Sequence, residues 1–315
     1  MRKLLTVMLV GLCVFILVGC GDKGSSSQEK VPQKTITIGV MPDVESVPFV
    51  IAEKNGYFTK AGVNVKVEHF TSAKDRDSAL QSGKLDGVVT DVLAVVFANE
   101  GGIDLKMIAK NEGNILLMGG KDSGIKSMAD LKGESVGLST NTIMEYTVDQ
   151  MLASAGMQAG EISKMAIPPL PTRLEMLQGG KIDAAILPEP LAGLAVKGGA
   201  VTLSTTDELK NKAGAIAFTG KCLKENPEAV KAIFAAYNEA VDYLQKEPLD
   251  SYADYIIQEQ GFPPAIKDSL TLPKYEHASA PDAKIVANVV DWMLNKQLIK
   301  KSYAYKDLTA EGFLR

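Results

Sequence analysis

From residue 35 onward, short β-branched runs alternate with stretches of helical period, and glycine, proline or asparagine marks each change. Residues 35–40 read as a strand bounded by Pro42, and residues 47–54 as a helix that stops at Asn55-Gly56. The same rhythm gives strands at 63–67, 85–90 and 103–109, with helices at 75–81 and 92–99 between them. It resumes with strands at 135–138, 164–167, 183–187 and 200–203, and helices at 142–154, 172–177 and 191–197. Two further apolar runs, 115–120 and 214–219, sit between the series and read as strands crossing from one to the other. The remainder is helical. Asn226-Pro227 opens a helix whose stripe is Val230, Ile233, Phe234, Tyr237, Val241 and Leu244, and helices follow near 249–259 and 283–295. Strands alternating with helices predict an α/β fold with mostly parallel sheets covered on both faces.

The two series are related. Leu80-Gln81-Ser82-Gly83-Lys84-Leu85-Asp86 is echoed 97 residues later by Leu177-Gln178-Gly179-Gly180-Lys181-Ile182-Asp183. Arg76 maps on Arg173 and Gly101-Gly102 on Gly198-Gly199, while Gly39 and Gly62 map on Gly137 and Gly160 at an offset of 98. A duplicated α/β unit with two crossings predicts two lobes around a cleft. Open sheets bind ligands beyond the carboxyl ends of their strands, where helix N-termini present free N–H groups. That rule selects Asp43, Glu45 and Ser46 after the first strand, and Thr90 and Asp91 after the third. In the second series it selects Ser139, Thr140, Asn141 and Thr142, four small polar residues in a row, and Glu189 between two prolines. Thr219, at the end of the return crossing, completes the candidate ligand set. Each also has a plainer reading as a helix cap or a solvated turn. Arg76 and Arg173 could hold an anion if their heads reach the cleft; otherwise they are a surface arginine inherited twice.

Composition narrows the chemistry. Acidic residues outnumber basic ones, 38 to 34, which does not favour a nucleic-acid partner. The two histidines, His69 and His277, and three cysteines form no cluster, so no zinc or iron site and no other metal or cofactor is expected. Arg2 and Lys3, then the apolar run 4–18, then Leu17-Val18-Gly19-Cys20 resemble the bacterial lipobox. The resemblance implies a signal peptide over 1–19, lipid on Cys20, and a flexible tether over 20–34 that holds the body outside the cytoplasmic membrane. With Cys13 in the signal and Cys20 lipidated, Cys222 is alone and no internal disulfide can form.

Further segments are similar to a known family. Glu53-Lys54-Asn55-Gly56-Tyr57-Phe58-Thr59-Lys60-Ala61-Gly62-Val63-Asn64-Val65 resembles a segment of the extracellular solute-binding proteins of ABC importers. The group is the one for nitrate, sulfonate, taurine and thiamine-pyrimidine precursors. Leu80 to Asp86, Asp130-Leu131-Lys132-Gly133-Glu134-Ser135-Val136-Gly137, and the tail from Trp292 to Phe313 resemble it in the same order. The resemblance implies the type II periplasmic-binding-protein fold, two Rossmann-like lobes joined by two crossing strands. Lobe one is then 35–118 with 217–315, and lobe two is 119–216. It further implies a monomeric, non-enzymatic receptor that captures a small solute. The solute passes to an ABC permease whose ATPase is a separate subunit, since no G-x-x-x-x-G-K-[ST] loop is present. The acids of the candidate cleft point to a sulfonate bearing an amine, or to a pyrimidine or other amine-bearing solute, rather than bare nitrate. Two alternatives stand beside this: an enzyme of the same fold that makes a pyrimidine precursor, and a sensory lipoprotein that serves no permease.

Overall fold

The computed structural model describes residues 34–314. The expected signal peptide, Cys20 and the tether up to residue 33 lie outside the described residues. The strands are β1 (Ile36–Val40), β2 (Val65–His69), β3 (Gly87–Asp91), β4 (Leu105–Lys110), β5 (Ile115–Gly119), β6 (Ser135–Leu138), β7 (Ser163–Ala166), β8 (Ala184–Pro188), β9 (Val201–Thr205) and β10 (Gly214–Thr219). They form two five-stranded sheets, ordered β2-β1-β3-β10-β4 and β7-β6-β8-β5-β9. In the first, β1 runs parallel to β2 and β3 while β10 runs antiparallel to β3 and β4. In the second, β6 runs parallel to β7 and β8 while β5 runs antiparallel to β8 and β9.

Both runs expected as crossings are therefore strands inside a sheet, and each belongs to the sheet it has just reached. The expected lobe boundaries after 118 and 216 fall within β5 and β10. The chain passes between sheets at 111–114 and again at 206–213, and side chains stitch the two passages together. The Thr206 hydroxyl donates to Asn114 Oδ1 at 3.0 Å, and the Asp207 N–H donates to the same oxygen at 3.3 Å.

The repeated phrase has a structural cause. Asp86 Oδ2 accepts the Thr37 N–H at 3.0 Å, and Asp183 Oδ2 accepts the Ser135 N–H at 3.0 Å. Each aspartate thus satisfies an N–H of the sheet's first strand, which would otherwise be a costly orphan. The next layer matches too. A Cβ placed on Gly39 would lie 2.6 Å from Leu85 and 3.3 Å from Arg76; one on Gly137 would lie 2.5 Å from Ile182 and 3.3 Å from Arg173. Only glycine lets the arginine stem and the apolar residue of the phrase lie on the first strand.

The tail packs on the first sheet's side of the molecule. Helix Pro227–Lys246 buries Val230, Ile233, Phe234, Tyr237 and Val241, and the Tyr237 ring lies 5.3 Å from that of Phe49 in helix Val47–Lys54. Each such side chain contributes about 1.5–3 kcal/mol of burial. The expected helix at 249–259 is split by Tyr252 into a short 3-10 turn, Leu249–Ser251, and helix Ala253–Glu259. No helix among the described residues is long and apolar enough to cross a membrane.

Candidate functional site

The strand tips of both sheets meet around a cavity of about 70 Å³. Met41, Asp43 and Glu45 come from the loop after β1, and Thr90 and Asp91 from the end of β3. Ser139 and Thr142 follow β6, Pro168 and Leu170 follow β7, and Pro188 ends β8. Asn111, Gly113, Thr206, Asn211 and Lys212 from the two passages close the remaining side.

Helix starts account for several of these positions. Asp91 caps helix Val92–Glu100 by accepting the Ala94 N–H at 2.9 Å. Thr142 caps helix Ile143–Ser154 by accepting the Met144 N–H at 3.2 Å. Glu145 Oε2 reaches back one residue further and accepts the Asn141 N–H at 2.7 Å. Glu145 Oε1 is drawn away to Lys164 Nζ at 2.8 Å and Lys296 Nζ at 2.5 Å. Burial opposes ionisation of Glu145, yet these donors hold its carboxyl down at about 2. Trp292, whose indole N–H donates to Asp149 Oδ2 at 3.1 Å, belongs to helix Ala283–Asn295, and Lys296 is that helix's C-cap. This network ties the C-terminal helix to the helix that forms the second sheet's side of the cavity.

Three carboxylates dominate the first sheet's side. Burial pushes Asp43 and Asp91 up to about 6, partly offset by the Ser46 hydroxyl at Asp43 and by Arg76 at Asp91. Burial, reinforced by the neighbouring Asp43 and Asp91 charges, holds Glu45 well above the usual carboxylate range. Glu45 lies directly against Gly113 in the first passage, where a Cβ would strike its carboxylate. Two buried hydroxyls in the wall, Thr90 Oγ1 and Thr147 Oγ1, have no hydrogen-bond partner.

Both repeated arginines are buried rather than on the surface. Arg76 Nη1 donates to the Val89 carbonyl at 3.1 Å, and Arg173 Nη1 to the equivalent Ile186 carbonyl at 2.8 Å. Arg76 lines the cavity and pairs with Asp77 at 2.8 Å. Arg173 does not line it. Its remaining donors go to the Ile167 and Pro168 carbonyls and the Ser139 hydroxyl, and burial alone lowers it to about 10.

The other expected site residues stand elsewhere. Because β10 runs antiparallel, its start and not its end faces the cavity: Gly214 pairs with Asp91, whereas Thr219 pairs with Leu105 and caps helix Gly220–Glu225. Ser46 spends its hydroxyl on the Met41 carbonyl and accepts Gln260 Nε2 at 2.8 Å. Thr140 and Asn141 are exposed and outside the wall. Glu189 accepts the Gly193 N–H at 2.9 Å, starting helix Leu191–Lys197, and its carbonyl accepts the Val44 N–H at 3.2 Å. It links the two sheets' loops rather than lining the cavity. Asn111, Gly113, Thr147 and Lys212 were not singled out from the sequence. They lie in the passages or one turn into a helix, where the strand-tip rule does not look.

A family model described as NMT1/THI5 like matches residues 43–251. The chain belongs to the NMT1/THI5-like family. Within the family's reach, it is 25% identical over 262 residues to a Brachyspira hyodysenteriae protein named as an ABC transporter periplasmic binding protein, covering 78% of this chain and 75% of that one. It is 24% identical over 278 residues to a 4-amino-5-hydroxymethyl-2-methylpyrimidine phosphate synthase of Saccharomyces cerevisiae, covering 82% of this chain and 79% of the yeast protein. The alkanesulfonate-binding protein SsuA of Xanthomonas axonopodis pv. citri, solved with MOPS, superposes with a TM-score of 0.76 at 18% identity, over 88% of this chain and 98% of that one. The fold is that of the type II periplasmic binding proteins.

Proposed function

We propose that this chain is the solute-binding component of an ABC import system, which closes on a small organic solute and hands it to a permease. The carrying observation is the cavity itself. It is walled by strand tips of both sheets and by both passages, so a solute there touches every part that moves when two such halves close. Asp43, Glu45, Thr90, Asp91, Ser139 and Thr142 are the residues assigned to hold it, with a sulfonate bearing an amine or a pyrimidine-like amine as the classes considered. The relatives named as binding proteins support this reading.

The yeast relative raises an enzymatic alternative. Against it, neither His69, His277 nor Cys222 is among the cavity residues, which leaves the wall without a histidine base or a thiol nucleophile. Lipid on Cys20 would keep the receptor at the membrane surface, outside the cytoplasm and beside its permease.

A thermal-shift screen of taurine, other sulfonates, nitrate, amino acids and pyrimidines on residues 21–315 tests the receptor reading. A specific solute raises Tm by mass action, and Asp91→Asn and Glu45→Gln remove the rise. A shift that survives both changes would mean the solute sits elsewhere. Labelling cells with an alkynyl fatty acid tests the anchor: wild type takes the label, Cys20→Ala does not, and label on the variant rejects Cys20.

A further inference from the structure

We propose that the solute is a small organic cation, an ammonium or amidinium head on a compact apolar body, held by Asp43, Glu45 and Asp91. The proposal rests on the receptor reading and specifies its ligand. Charge balance is the first argument. Five charged side chains line the cavity: Asp43, Glu45, Asp91, Arg76 and Lys212. Both cations are already committed, Arg76 to Asp77 at 2.8 Å and Lys212 to Asp207 at 2.6 Å. Among the described residues, no lysine or arginine nitrogen forms an ion pair with any of the three carboxylates. Buried carboxylates without a paired cation are costly, and a proton or an incoming cation relieves the cost.

Unused hydrogen-bonding capacity is the second argument, independent of charge. Thr90 Oγ1 and Thr147 Oγ1 are buried in the wall without partners, and a hydroxyl can accept an N–H. Arg76 Nη2 faces Asp77 without a well-aligned hydrogen bond, which leaves room for one neutral acceptor atom on the solute body. An anionic solute would take that donor and the two hydroxyl O–H groups but would still face three carboxylates.

Shape is the third. Ile143, Met144 and Leu170 form an apolar wall on the second sheet's side, with Met41 and Ile115 at its margin. A space of about 70 Å³ holds on the order of three non-hydrogen atoms, the size of a charged head group with the start of an apolar body. The groups facing Glu45 are Asp43, Asp91, Arg76 and Asn111, with Lys212 in the adjoining wall and the Tyr237 and Tyr275 phenols behind it. Burial and the Asp43 and Asp91 charges hold the Glu45 carboxyl well above the usual carboxylate range. A bound cation favours the ionised carboxylate, so affinity rises with pH as proton and cation compete for it.

Isothermal titration tests this with n-butylammonium and butyramidinium against 1-butanol, ethanesulfonate and nitrate, in phosphate at pH 6.5 and at pH 7.5. The cations are expected to bind at least about 10-fold more tightly than the alcohol or anions, and Glu45→Gln to weaken them about 10- to 100-fold. Cation affinity should be higher at pH 7.5 than at pH 6.5, because the cation and the proton compete for the same carboxylates. Asp91→Asn, which keeps the helix cap, should weaken binding similarly, with unchanged circular dichroism showing that the loss is not unfolding. Preferential binding of ethanesulfonate or nitrate overturns the proposal and leaves the receptor reading standing. Cation binding undiminished in Glu45→Gln and Asp91→Asn overturns the assigned site. Silence from all five probes overturns the proposal, and the wider thermal-shift panel then decides the receptor reading separately.

Discussion

Arg76 and Arg173 occupy the same place in two copies of one scaffold, yet their surroundings differ. Each lies on the equivalent glycine of a first strand and donates to the equivalent carbonyl of a third. Around Arg173 there are only carbonyls and the Ser139 hydroxyl. Around Arg76 there are Asp77, Asp91 and Asp43. The tips diverge in the same sense: Asp43, Glu45 and Asp91 in the first copy stand where the second has Asn141, Ile143 and Pro188. The arginine is therefore a scaffold element common to both halves. The polarity of the tips is what distinguishes them, with a charged wall facing an apolar one.

Removing each arginine separates scaffold from charge. Arg173→Met should cost about 3–5 kcal/mol at any pH between 5 and 8, because several buried carbonyls lose a charged donor together. Arg76→Met should cost less at pH 5 than at pH 8, since only ionised Asp43 and Asp91 need its charge. Urea melts at the two pH values measure both. An equal pH dependence in the two variants would erase the distinction.

The ligand-free protein should itself become less stable as pH rises. Asp43 and Asp91 are held near 6 against an ordinary 3.8, so their contribution is fully present below about pH 4 and is lost as pH passes through 6. Shifts of this size correspond to roughly 3 kcal/mol each. Glu145 works in the opposite sense. It contributes above its ordinary 4.5 and loses that contribution as pH falls toward 2. The balance of these groups therefore peaks near pH 4 and declines above it, and Asp91→Asn should flatten the decline toward pH 8. A flat Tm between pH 5 and 8 in wild type would contradict the charged-wall account.

Smaller effects should come from the parts that join the halves. Lys296→Met leaves Glu145 with Lys164 alone, and should cost about 1 kcal/mol and shift Trp292 emission, read by denaturant titration with fluorescence. Gly113→Ala should push the Glu45 carboxylate aside and weaken solute binding with little change in Tm, measured by calorimetry. Thr219→Val, at the far end of β10, should leave solute binding unchanged.

Much of the fold is readable because local pattern and global topology agree: β-branched runs, glycine stops and a duplicated phrase all mark the same elements. Strand direction is not written in that pattern. A run such as 214–219 looks the same whether it runs parallel or antiparallel to its neighbours, so nothing in it shows that the cavity lies at the Gly214 end of β10 and not at Thr219. The loops after β1, β3 and β6 were found by the rule that parallel strands point their carboxyl ends at the cleft. Ser46 and Glu189 satisfy the same rule but spend their side chains on hydrogen bonds elsewhere, Ser46 with the sequence-distant Gln260 and Glu189 with the nearby Gly193. The burial of both arginines was hidden because it depends on a glycine some 37 residues earlier in each copy. Asn111 and Lys212 lie in passages that carry no periodic signal at all.

The most direct test is a crystal structure of residues 21–315 saturated with n-butylammonium. The account predicts the ammonium nitrogen within hydrogen-bonding distance of Glu45 or Asp91, with the alkyl chain against Ile143, Met144 and Leu170. An ammonium nitrogen on the second sheet's side, or density for the amine only outside the cleft, would contradict it.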